Sequence, residues 1–127
     1  MSPRLQDAAL IENALQAVER AMARSDVGSI PFFGPTTLGE MPPDEREAAE
    51  KIETKVYREK PEETAIHFCL TSARSLLDVA QTLMMTEGQP SPRERERRWD
   101  SLVTHTKKAG RAAYRAALVL ADTKRAA

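Results

Sequence analysis

The stretch PEETAIHFCLTSARSLLDVAQTLMMT, residues 61–86, decides the fold. Ile66, Cys69, Ala73, Leu76, Ala80 and Leu83 recur at intervals of 3, 4, 3, 4 and 3 residues, which stacks them along one side of an α-helix. Leu70, Leu77 and Met84 add a second stripe beside the first, and Phe68 and Val79 are apolar too. A helix apolar over so much of its circumference needs neighbours on several sides. It is therefore expected to be central and the most buried, with Cys69 inside and Gly88 just past its last turn as the residue that ends it.

Working outward, three further helices are expected. The first covers about residues 3–24, with Leu5, Ala8, Ile11, Leu15, Val18 and Met22 on one narrow stripe, Ser2 as its N-cap and Pro3 as its first residue. The second covers about residues 44–60. Asp44 and Glu47 have the spacing of a capping box there, and Ala48, Ala49, Ile52 and Val56 form only a thin apolar stripe, so it belongs on the outside. The last covers about residues 92–124 and opens on SPRERERRW, residues 91–99. Ser91 is a good N-cap, Pro92 a good first residue, and Glu94 sits where a capping box needs it. Trp99, Leu102, Thr106, Ala109, Ala113, Ala116 and Leu120 are expected to face the core. Gly110 is a weak point within this helix. Residues 25–43, rich in Pro and Gly, form a long connection. The fold class is all-α: one domain over residues 1–127, a four-helix bundle with a long loop between its first two helices and a long basic helix at its end.

Composition agrees with a helical globular domain. Apolar residues make up 41% and charged residues 30%, which is too apolar for a disordered chain, and aromatics are only 5%. One cysteine excludes an intrachain disulfide. The first fifteen residues hold no apolar run suited to a signal peptide, and no window approaches the roughly 20 apolar residues of a membrane span. A cytoplasmic protein with no membrane partner is the expectation.

The formal net charge is zero, but the charge is unevenly spread. Residues 91–127 hold ten Lys or Arg against four Asp or Glu, and the rest of the chain is correspondingly acidic. On the last helix, Arg97, Ser101, Thr104, Lys108, Arg111 and Arg115 form a polar stripe roughly 200° from the apolar one, at about 100° per residue. Four cations and two hydroxyls without an acid are the donors that contact phosphate oxygens. Arg93 and Arg98 flank the stripe. Cations in a first helical turn oppose the helix dipole, which makes Arg93 and Arg97 better placed for an external anion. A solvated face, or one paired with acids of the second helix, is the competing reading.

Aromatic residues give little sign of base stacking. Tyr114, between Arg111 and Arg115, is expected at the edge of the core with its hydroxyl in water, and Trp99 within the core. Contact is therefore expected with the nucleic-acid backbone and not with base sequence. Phe32 and Phe33, in the loop segment IPFFGP, either plug the end of the bundle or dock on a partner. His67, His105 and Cys69 form no recognisable catalytic or zinc-spaced set, and no Gly-rich phosphate loop or hydrolase motif occurs. No enzyme activity, cofactor or metal is expected.

A small four-helix domain with one basic face resembles the small helical subunit of CRISPR effector ribonucleoprotein complexes. Arg93, Arg97, Arg98, Lys108, Arg111 and Arg115 carry that resemblance. It implies repeated copies in a larger assembly, contact with other protein subunits, and contact with RNA or DNA backbone without readout of sequence. The neutral net charge departs from it. The small residues Ala109, Ala113, Ala116 and Ala117 leave room for self-association. The alternative is a protein-interaction or regulatory bundle, such as a phage or toxin-antitoxin partner, acting through Phe32 and Phe33 with no nucleic acid.

Overall fold

A computed structural model describes residues 3–24, 42–85 and 91–126. They form four α-helices: α1 Pro3–Ala23, α2 Pro43–Glu59, α3 Pro61–Met85 and α4 Pro92–Ala126. Among the described residues there is no strand, and the protein is all-α. Ser2, Phe32, Phe33 and Gly88, with most of the long connection, lie outside the described residues, as do the side chains of Ala49 and Ile52.

Every helix opens on a proline. At the first helical position the missing N–H does no harm, and the fixed φ is already helical. This accounts for a correction at α2. Asp44 does not cap that helix. Pro42, at φ −56° and ψ 150°, precedes it, Pro43 opens it, and no side chain caps it. Asp44 and Glu45 are drawn into the first turn, where negative charge meets the positive end of the dipole. At α4 the expected capping box forms. The Ser91 N–H donates to Glu94 Oε2 and the Glu94 N–H to Ser91 Oγ, each at 3.3 Å.

A single residue joins α2 to α3. Lys60 sits at φ −135° and ψ 64°, away from the helical region, as a residue before proline must. Its N–H closes α2 on the Val56 carbonyl at 2.8 Å. Its carbonyl accepts both the N–H of Thr64, at 3.0 Å, and the Thr64 hydroxyl, at 2.7 Å. That hydroxyl is fully buried yet satisfied.

α3 is central. It packs along α4 and α1 and touches α2 more lightly. Both main contacts are antiparallel. The Ser72 hydroxyl donates to the Ala109 carbonyl at 2.8 Å across a buried seam, and Ala109, Ala112 and Ala116 let the backbones approach. On the other side Gln81 donates to Glu12 at 2.7 Å, and Arg74 pairs with Glu19 at 3.3 Å. Ala8 and Leu15 of α1 are buried, and Leu5, Ile11, Val18 and Met22 half-buried, so the whole predicted stripe of α1 faces inward. The core cluster is Ala65, Phe68, Ala116 and Val119, with Val56 and Tyr57 of α2 packed against it.

Two faces are rotated from the sequence reading. On α3 the core side carries Thr64, Ala65, His67, Phe68 and Ser72. Ile66, Cys69, Leu76 and Leu83 are exposed, Ile66 by 55%. On α4, Leu102, Ala109 and Ala116 are buried as expected, but the intervening buried positions are Ala112 and Val119. Trp99, Thr106, Ala113 and Leu120 are exposed, Trp99 by 55%. Hydroxyls account for the first rotation: Thr64 and Ser72 bond to carbonyls and so enter a core that hydropathy alone denies them.

Candidate nucleic-acid interface

α4 is the longest helix, at 35 residues against 25 for α3. Its inward face is the line Leu102, Ala109, Ala112, Ala116 and Val119. The basic stripe lies roughly 85° to one side of that line, from 100° per residue. Arg97, Thr104 and Arg111 are exposed there, and Lys108 is half-buried. From Arg97 to Arg111 the stripe runs about 21 Å at 1.5 Å per residue. Among the described residues no carboxylate pairs with Arg97, Lys108 or Arg111. Ion pairs formed by described side chains, such as Lys51–Glu47, Lys60–Glu63, Arg74–Glu19 and Arg125–Asp122, lie elsewhere.

The two ends of the stripe differ. Arg93 is exposed in the first turn, and Arg98 is half-buried. Arg115 folds inward instead. Its guanidinium carbon lies 4.6 Å from the centroid of the Phe68 ring, a cation–π contact between α4 and α3. Burial pushes the Arg115 pKa down from its ordinary value, though arginine stays protonated at neutral pH. Arg115 therefore serves the core as well as the stripe, and Arg97 to Arg111 is the part that faces solvent.

The hydroxyls of the stripe are held locally. Thr104 Oγ1 donates to the Asp100 carbonyl at 2.9 Å, which leaves its lone pairs outward. His105 Nδ1 bonds to the Ser101 carbonyl at 2.7 Å. A carbonyl only accepts, so Nδ1 carries the hydrogen in that contact.

Tyr114 corrects another expectation. It is 66% exposed, not at the core edge. With Lys107, Gly110 and Arg111 it lines a shallow surface groove of about 440 Å³. Two cations beside an exposed ring were not recognised from sequence, because Lys107 falls outside the basic stripe. The signal was available in the i, i+4 and i, i+7 spacing of Lys107, Arg111 and Tyr114.

The residues considered for chemistry stay apart. His67 is buried against Phe68, with ring centroids 6.0 Å apart, whereas Cys69 and His105 are exposed. The exposure of Cys69 reverses the expectation of a buried thiol. Among the described residues no group of three His, Cys, Asp or Glu side chains is arranged to hold a metal ion. No helix of the described residues is long and apolar enough to cross a membrane. No protein-family model matches the chain, and no curated protein or solved structure matches it.

Proposed function

We propose that this protein is a non-catalytic helical subunit that contacts nucleic-acid backbone through the basic flank of α4, as part of a larger assembly with other protein subunits. The observation that carries the reading is the line of exposed Arg97, Thr104 and Arg111 with half-buried Lys108 among them, which no described carboxylate neutralises. Arg93 extends it toward the helix start. A straight helix cannot follow a base sequence over this length without side chains in a groove, and the stripe offers point charges and a hydroxyl. Phosphate contact without base readout is the chemistry such a line performs. In this reading, which takes up the resemblance to small CRISPR subunits, that chemistry acts on a guide or target strand and the compartment is the cytoplasm.

Salt dependence tests it. Four cations on four phosphates give a log–log slope of about −3 to −4, or roughly a 100-fold loss of affinity between about 50 and 200 mM salt. Fluorescence anisotropy with single- and double-stranded probes measures this. The triple variant Arg97→Glu, Lys108→Glu, Arg111→Glu should abolish binding with helicity unchanged by circular dichroism. Arg115 is left alone because it packs on Phe68. Binding that ignores salt, or survives the triple reversal, ends the proposal.

A further inference from the structure

α4 carries a second line on the side opposite the basic stripe. Trp99, Val103, Thr106, Gly110, Ala113, Ala117 and Leu120 recur at intervals of 4, 3, 4, 3, 4 and 3, all exposed and all uncharged. That is a helix–helix seam of three heptads with nothing on it among the described residues. On α3 the exposed or half-exposed line Ile66, Cys69, Ala73, Leu76, Ala80 and Leu83 has the same alternation. On each helix the line lies roughly 100° from the α3–α4 contact, in the same rotational sense. Because the helices are antiparallel, that offset brings both lines to one side of the pair. Six large exposed apolar side chains share this face: Ile66, Leu76, Leu83, Trp99, Val103 and Leu120.

The ends of the α4 line say what fits it. One further step of the same 3–4 alternation carries the line from Trp99 to Glu96 and from Leu120 to Lys124, both exposed. Size follows the same symmetry: Trp99 and Leu120 stand at the two ends, with Gly110 and Ala113 in the middle. A copy turned end for end about Gly110 sets Glu96 against Lys124 of the other copy, Trp99 against Leu120, and glycine against glycine. A parallel copy sets Glu96 against Glu96 and Lys124 against Lys124. The α3 line has large residues at both ends as well, Ile66 and Leu83, and the Ser72–Ala109 bond puts its middle within about one turn of Gly110.

We infer that the chain pairs with a second copy of itself, as an antiparallel two-fold dimer through the uncharged face of α3 and α4. An isologous interface of this kind is self-complementary by symmetry. The face measures about 30 Å by 20 Å, on the order of 600 Å² per partner from helix rise and spacing. That is below the roughly 800 Å² of a standard stable interface, in the size class of weak and transient pairs, so the dimer is a reversible one.

Gly110→Glu tests it cleanly, because a Cβ at Gly110 meets nothing within 4 Å in the single chain. Sedimentation at about 100 μM, concentrated enough to populate a weak reversible pair, should show a dimer for the wild type. Gly110→Glu should weaken it by at least roughly 100-fold through like charges at the two-fold axis, with helicity retained by circular dichroism. A monomeric wild type, or a dimer indifferent to Gly110→Glu, overturns the inference. Orientation is read in a Cys69→Ser background with a short bismaleimide. Val103→Cys mixed with Ala117→Cys should cross-link, and Val103→Cys alone should not. Cross-linking of Val103→Cys alone to the same extent means parallel pairing and also overturns it.

Discussion

Tyr57 shows how one side chain ties a peripheral helix to the rest. Its hydroxyl donates to Asp122 of α4, while its ring packs against the core cluster. The hydrogen bond to Asp122 holds the Tyr57 pKa above its ordinary value, with desolvation and the Asp122 charge adding to the shift. A raised pKa in the folded state means the protonated form is favoured by folding. The stabilisation is then fully present below about pH 10 and is lost as pH rises through the folded pKa. Wild-type melting temperature should fall more steeply above about pH 10 than that of Tyr57→Phe, which has no proton to lose there. Parallel curves for the two proteins would contradict the assignment. At the same scale, Thr64, Ser72 and Arg115 explain why the core was only partly legible. A hydroxyl bonded to a carbonyl and a guanidinium laid on Phe68 both enter an interior that their residue types disfavour. Their partners lie on other elements or across the Lys60 joint, where periodicity carries no signal.

At the scale of the element, punctuation was more legible than facing. The prolines marked all four starts to within a residue, and the capping box of Ser91 and Glu94 formed as its spacing required. Ser91→Ala removes one half of that box. It should cost about 1 kcal/mol and lower the melting temperature by about 3–6 °C for a chain of this size. Ser91→Asp should retain most of the stability, and a Ser91→Ala protein that melts with the wild type would show the cap to be idle. Facing on α4 was harder because Leu102, Ala109 and Ala116 are flanked on both sides by uncharged residues. Thr106, Ala113 and Leu120 lie to one side, and His105, Ala112 and Val119 to the other. Both choices satisfy a heptad. The structure buries Ala112 and Val119 of the second set and leaves His105 and the whole first set exposed, and that first set belongs to the candidate dimer seam. The basic stripe kept its outward facing from Arg97 to Arg111 because charge, unlike small apolar residues, has only one acceptable side.

At the scale of the molecule, α1, α3 and α4 are ordered as a layer with α3 between the other two. The basic flank and the uncharged seam of α4 lie on opposite sides of that layer. If two copies meet through the seam, both basic flanks face outward, on opposite surfaces of the dimer. One dimer should then hold two nucleic-acid strands at once. Mixing the wild type with donor- and acceptor-labelled duplexes should produce energy transfer between them, and Ala117→Glu, on the seam and outside the groove beside Arg111, should bind each duplex without bringing them together. Binding without bridging by the wild type would separate the basic flank from the dimer.

The Lys60 joint gives α2 the mechanics of a lever. The helix is 17 residues long, about 25 Å, and among its described side chains Val56 and Tyr57, in its last turns, pack on the core cluster. A rotation of about 10° at Lys60 would carry Pro43 through about 4 Å at that arm length. The fulcrum is a backbone already bonded on both sides, to Val56 behind and Thr64 ahead. Small adjustments where Tyr57 meets Asp122 are therefore magnified at the far end of α2.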